Sequence, residues 1–325
     1  MSTEEIGIKI FAGTASLNFA EKMCSYLKTE PGQAQVITFS EGNTFVKILE
    51  KVRDKDVYIV QTIGLNPNDG FMELLFWIDA FKRSSAGSIT AIIPYFSYAK
   101  GDKKDEPRVS IRARVCADCL EVTGVDRIIT MDLHSPQIQG FFKKPVDHLY
   151  GMSILCKYIK SKNIENLVVV SPDAGFAKIA RGYANLLHSS VAIGDKIRTS
   201  HDEKAKILDI IGNVKEKNAV IVDDFTISCG TLIDTARALR ENGAERIIAC
   251  VSHALLGDNG LKALEESFIE ELIITDTVEN PKAFAHPKIT VVSVAEFFAE
   301  AVRIIHSKDS LSHLFDDISK CIDEA

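Results

Sequence analysis

The sequence predicts an α/β fold built on mainly parallel sheets, and two observations carry that expectation. Short runs rich in valine and isoleucine (IGIKIF, DVYIVQ, ITAIIPYF, RIITMDL, LVVVSPD, AVIVDDF, RIIACVSH, ELIITD, ITVVSV) alternate with amphipathic stretches of helical length. That is the pattern of βαβ units around a sheet buried on both faces. The order strand, polar turn, helix, strand also occurs twice in similar form, at residues 57–96 and 219–253. With 325 residues and about 100–200 residues per domain, two related halves are expected: 1–150 and 151–325, the final helices able to pack back on the first.

Along the chain, VYIVQT reads as a strand, MELLFWIDAFKRSSAG as the helix after its polar turn, and SITAIIPYF as the next strand. SIRARVCADCLEVTG has the apolar spacing of one helix, ended by Gly124. This helix contains the CxxC pair Cys116 and Cys119; no second Cys or His pair follows at zinc-site spacing, so the pair is expected to line a core. In the second half AVIVDD, TLIDTARALRENGAE and RIIACVSH repeat the strand, helix and strand order. Residues 307–325 place Leu311, Leu314, Phe315 and Ile318 on one face of an amphipathic segment.

Composition narrows the function. The chain is 46% hydrophobic and 26% charged, with a formal net charge of −7. An acidic balance lacks the footprint of a nucleic-acid binder, so any phosphate must be met by a metal ion, oriented backbone N–H groups or a few placed cations. No apolar run has membrane-span length and the N-terminal segment lacks signal-peptide features, so no membrane association and a cytoplasmic location are expected. Seven scattered cysteines are expected to be reduced thiols.

The sharpest motif is AVIVDDFTISCGTLIDTARAL. An apolar strand delivers Asp223 and Asp224; Thr226 to Thr231 then lead directly into a helix. Small residues let the backbone approach an anion, successive N–H groups and the helix N-terminus face it, and Ser228 and Thr231 add hydroxyls. Paired carboxylates at the rim suit sugar hydroxyls or a bridging Mg²⁺. A phosphorylated sugar satisfies both halves of the motif. Neither GxxxxGK[ST] nor GxGxxG occurs.

VDDFTISCGT resembles the phosphoribosyl-pyrophosphate-binding motif of the type I phosphoribosyltransferase fold. The wider chain resembles the ribose-phosphate pyrophosphokinases (PRPP synthetases), with further matches in FSEGNTFVKI, MELLFWIDAFKRSSAGSITAIIPYFSYA, TMDLHSPQIQGFF, VVVSPDAG and AIGDKIR. The resemblance implies transfer of the diphosphoryl group of ATP to the anomeric hydroxyl of ribose 5-phosphate, giving PRPP and AMP. It implies that Asp223, Asp224, Ser228, Cys229, Gly230 and Thr231 bind ribose 5-phosphate, and that Lys196 and Arg198 form a catalytic pair on a mobile loop. Phe39, Glu41, Lys100, Asp102 and His134 would bind ATP, and His134 and Asp173 would serve the metal, Mg²⁺. A dimer-based homo-oligomer, such as a hexamer, is also implied.

The chain departs from the family pattern at several places. Ile227 replaces the usual third acid of the ribose-phosphate motif, Glu41-Gly42-Asn43 replaces Asp-Gly-Glu, and Lys100-Gly101 replaces Arg-Gln before Asp102. The basic Arg/Ser-rich stretch expected after Asp102 reads Lys103-Lys104-Asp105-Glu106-Pro107-Arg108. A non-catalytic regulatory homologue and a PRPP-consuming phosphoribosyltransferase are the alternative readings; the intact Lys196/Arg198 pair opposes the first and the two-half architecture the second.

Overall fold

The computed structural model describes residues 8–197 and 206–314. They fall into two compact units. One comprises the described residues up to Leu149 together with Thr277–Glu279 and Val294–Leu311; the other comprises Tyr150–Asp276, Asn280–Ser293 and the described residues from Ser312 on.

In the first unit, β1 (Ile8–Ala12), β4 (Asp56–Val60), β5 (Ser88–Ile93), β6 (Arg127–Met131) and β7 (Val146–Leu149) form one sheet in that order. Every pairing is parallel. The hairpin of β2 (Ala34–Thr38) and β3 (Thr44–Ile48) is a separate two-stranded sheet. Tyr58, Ile59 and Val60 of β4 are buried in succession because helices cover both faces. Helix α1 (Leu17–Leu27) follows β1, and α2 (Pro67–Arg83) follows β4, with Pro67 preset for the first helical position. Phe71, Leu74, Trp77, Ile78 and Phe81 line its buried stripe, and the Trp77 and Phe81 rings lie 5.8 and 4.8 Å from Phe11 of β1. The CxxC helix is α3 (Arg112–Thr123). Cys116 is buried there, and burial, then the Cys119 sulfur, push its thiol up to about 12. The thiol is therefore unreactive at neutral pH.

Helix α9 (Ala295–Ser307) completes this unit from the far end of the sequence. Phe298 meets Phe19 of α1 edge to face at 5.4 Å, and His306 Nδ1 lies 2.8 Å from Asp56 Oδ2.

A buried carboxylate fastens the β1–α1 turn. Glu73 of α2, 4% exposed, accepts from the Thr14 N–H at 2.9 Å, from the Thr14 hydroxyl and from Trp77 Nε1 at 3.1 Å. Glu73→Ala would strand the buried Trp77 Nε1–H, worth about 1–3 kcal/mol when left unsatisfied, while the exposed Thr14 donors turn to water. Thermal denaturation is expected to show a loss of roughly 2 kcal/mol, or about 4–8 °C in Tm; an unchanged Tm would refute this account of the turn.

The second unit has the strand order β10-β9-β8-β11-β12-β13-β14, where β8 is Leu167–Ser171, β9 Ser190–Ile197, β10 Lys206–Ile211, β11 Asn218–Thr226, β12 Ile247–Ala254, β13 Glu271–Thr275 and β14 Ile289–Val292. All neighbours run parallel except β9 and β10. Helices α4 (Met152–Ser161) and α5 (Ala177–Leu187) cover one face, where Val169, Val220, Val222, Ile248 and Cys250 point. Helices α6 (Gly230–Glu241), α7 (Asp258–Glu265) and α8 (Pro281–Phe284) cover the other, over Val168, Val170, Ile221 and Ala249. This alternation by single residues is the strand period of two. No helix among the described residues is long and apolar enough to cross a membrane.

Candidate active site

The strand order places the site of the second unit. From β8 the chain winds outward through β9 and β10, and from β11 it winds the other way through β12, β13 and β14. The reversal lies between β8 and β11, and in open α/β sheets the crevice beyond the strand ends at such a point is the ligand site. β11 pairs with β8 only over Asn218–Ile221, while its pairing with β12 continues to Thr226. Asp223 and Asp224 therefore project from a strand held on one side only, next to the turn that carries Asp173. The expected loop beginning at Thr226 starts a residue later, because β12 keeps Thr226 in register with Ala254.

Negative charge concentrates here. Burial raises the Asp223 carboxyl well above the usual carboxylate range, and the Asp224 and Asp173 carboxylates raise it further. Each aspartate of the pair accepts the next backbone N–H: Asp224 N to Asp223 Oδ1 at 3.0 Å and Phe225 N to Asp224 Oδ1 at 2.8 Å. Asp173 Oδ1 caps the 3-10 turn Ala174–Phe176, accepting from Gly175 N at 2.9 Å and Phe176 N at 3.2 Å. Half-buried carboxylates crowded in this way suit a cation or hydroxyl donors. Among the described residues no group of three or more His, Cys, Asp or Glu side chains is gathered in ligating geometry. The half-buried Asp223, Asp224 and Asp173 offer hard oxygen donors, the type that holds a hydrated divalent ion through one or two carboxylates.

The loop beyond β11 is built from its own side chains. Thr226 Oγ1 accepts from Cys229 N at 3.1 Å, Ser228 Oγ accepts from Gly230 N at 3.3 Å, and Leu255 N donates to the Thr226 carbonyl at 2.8 Å. Cys229 takes φ +60°, a left-handed N-cap for α6. Its side chain is fully buried in the core, and burial pushes its thiol up to about 11. Cys229 thus shapes the loop through its backbone. The first turn of a helix leaves its N–H groups without intrahelical acceptors, so those at Thr231 and Leu232 supply donors beside the exposed Ser228. Ile227, 49% exposed, stands at the crest of the loop.

Lys196 differs from its expected setting. Its backbone belongs to β9, in antiparallel register with Ile207 of β10, and not to a loop. Arg198 lies outside the described residues.

The nucleotide candidates belong to the first unit. Phe39 is 44% exposed at the end of the β2–β3 hairpin, its ring 6.3 Å from that of Phe45. Phe39 N donates to the Asn43 carbonyl at 2.8 Å and Gly42 N to the Phe39 carbonyl at 2.9 Å, closing a turn that carries the exposed Glu41. An aromatic held out on a closed turn is available for stacking. Lys100 ends the 3-10 turn Ser97–Lys100 after β5, and Lys100 and Asp102 are half-buried on either side of the buried Gly101. His134 is exposed in the turn after β6. That turn is held by the buried His148 of β7, whose Nε2 accepts the Leu133 N–H at 2.8 Å. Nothing in the local sequence signals His148, because β7 is only four residues long.

Carboxylates and a hydroxyl-bearing anion loop at the switch point of a parallel sheet are the equipment of a protein that handles phosphorylated sugars. The N-terminal domain model of ribose phosphate pyrophosphokinase matches residues 8–124, and the phosphoribosyl synthetase-associated domain model matches residues 195–316. A ribose-phosphate pyrophosphokinase of Campylobacter jejuni is 43% identical over 309 residues, spanning 95% of this chain and 99% of that protein. One from Helicobacter pylori is 42% identical over 96% of this chain and 98% of its own length. A crystal structure of phosphoribosylpyrophosphate synthetase from Mycobacterium smegmatis aligns with a TM-score of 0.87 at 35% identity, covering 93% of this chain and 99% of that one. The chain belongs to the ribose-phosphate pyrophosphokinase family.

Proposed function

We propose that the protein is a ribose-phosphate diphosphokinase, converting ATP and ribose 5-phosphate to PRPP and AMP for nucleotide biosynthesis. The observation that carries the reading is the full-length family membership, joined to two aspartates and an anion loop at the switch point of the second sheet.

In this reading Asp223 and Asp224 accept hydrogen bonds from the ribose hydroxyls and orient the anomeric oxygen. Ser228, Thr231 and the backbone from Cys229 and Gly230 into α6 hold the 5-phosphate. Phe39, Glu41, Lys100 and Asp102 hold the nucleotide, with His134 toward its phosphates. The anomeric oxygen attacks the β-phosphorus, the bond from that phosphorus to the oxygen bridging it to the α-phosphate breaks, and AMP leaves. The anomeric proton passes to solvent, so no covalent enzyme intermediate is needed. Lys196 and Arg198 neutralise charge that spreads over the transferring oxygens, the main demand of phosphoryl chemistry. Asp173 would hold Mg²⁺ directly or through water, His134 would serve the same ion from the phosphate side, and the metal would supply charge neutralisation of the phosphates. A cytoplasmic homo-oligomer is the assembly proposed.

Purified protein incubated with ribose 5-phosphate, Mg²⁺ and ATP is expected to release AMP and PRPP in equal amounts, and to stop when Mg²⁺ is chelated. Absence of AMP under saturating substrates would overturn the assignment, and ATP-independent consumption of added PRPP with a base would replace it with a transferase.

A further inference from the structure

We infer that Arg112 binds the phosphates of the nucleotide donor, a role made possible by the glycine at position 101. The inference rests on the assignment of Lys100 to Asp102 to the nucleotide and adds a residue to it.

Gly101 is buried, and its backbone has no need of a glycine: its φ is −104°. What it supplies is space. A Cβ at this position would lie 2.4 Å from Arg112 Nε, 3.0 Å from Arg112 Cβ and 3.1 Å from Arg112 Cζ. The arginine side chain therefore runs directly across the Gly101 Cα. The backbones are fastened as well, since Ala113 N donates to the Gly101 carbonyl at 3.1 Å. Any larger residue at 101 must displace the guanidinium.

Arg112 is costly where it stands. It is the first residue of α3, so its charge faces the positive end of the helix dipole, and no acidic residue occupies the first turn. Among the described residues it has no ion-pair or hydrogen-bond partner. The other arginine of this helix is fully used: Arg114 pairs with Asp118 at 2.5 Å and donates to the Phe141 carbonyl at 2.7 Å. A guanidinium held by packing against a glycine, opposed by a helix dipole and still exposed is set to meet an anion from solution. Lys100 and Asp102 flank the Gly101 against which Arg112 packs, and with those two residues assigned to the nucleotide the anion is its phosphate chain. A planar guanidinium also gives the two-pronged phosphate recognition that Lys100 cannot.

Arg112→Ala is expected to raise KM for ATP about tenfold while KM for ribose 5-phosphate stays within twofold and Tm holds or rises. Arg112→Lys should recover little of the loss. Gly101→Ala should raise KM for ATP by a similar factor by moving the guanidinium, and the double variant should be no worse than Arg112→Ala alone. The same series measured as ATP Kd by calorimetry reads the inference without turnover: a wild-type chain that binds ATP but makes no PRPP would sink the proposed reaction and leave this test standing. An unchanged ATP KM and Kd in Arg112→Ala, additive effects in the double variant, or a change confined to inhibition by ADP would each overturn the inference.

Discussion

Asp223→Asn is expected to melt several degrees higher than the parent chain at neutral pH while losing about 100-fold in kcat/KM for ribose 5-phosphate. Burial and the carboxylates of Asp224 and Asp173 raise this carboxyl in the folded chain, whereas unfolding returns it to an ordinary value near 4. The folded state thus holds more protons than the unfolded state above about pH 4, and stability falls as pH rises through that window. Asparagine has no charge to penalise, so the gap in Tm between variant and parent should open from pH 4 upward and vanish below it. Each kcal/mol recovered moves Tm by about 2–4 °C in a protein of this size. The activity loss follows from removing an acid that becomes a charged acceptor when substrate and metal draw off its proton, such a hydrogen bond being worth about 1.5–3 kcal/mol. Mg²⁺ alone should raise the Tm of the parent more than that of the variant. Equal Tm values across the pH range would show that the carboxylates do not repel one another as described.

Lys196→Ala is expected to lose about 10²–10³-fold in kcat, with both KM values within a few-fold of the parent. A cation that meets charge appearing only during transfer contributes to the barrier and little to ground-state binding, so its removal is read in kcat. The magnitude is that of removing one preorganised electrostatic contact. Because β9 fixes the Lys196 backbone against Ile207, Lys196→Arg should retain part of the rate. Steady-state kinetics decide the matter: a rise in KM with kcat preserved would recast Lys196 as a binding residue.

The parallel strands were legible in the sequence because burial on both faces leaves unbroken apolar runs such as LVVVS and AVIV. The β2–β3 hairpin is not legible, for the opposite reason. Its strands alternate half-buried and exposed positions, and Phe45 points outward, so hydrophobicity marks no core there. The β9–β10 ribbon is masked by the polar run DKIRTSHDEKAK, which reads as a loop and takes Lys196 with it. Within the candidate site, the closeness of Asp223, Asp224 and Ser228 is legible because one strand and one turn hold all of them. Arg112 beside Gly101 and His148 beneath the His134 turn were not, since each is brought to its partner through space by elements that no local pattern links.

Helix α9 carries a consequence for biosynthesis. The first unit is finished by residues 294–311, whose Phe298 covers Phe19 near the opposite terminus. On a ribosome moving at about 5–20 residues per second, the sheet of that unit is made roughly 10–30 s before its last helix arrives. During that interval the apolar face of α1 lacks its cover. Synthesis order and completion order are therefore reversed: the half translated first is closed last, and the newborn N-terminal segment is the stage of synthesis at which a chaperone has most to shield.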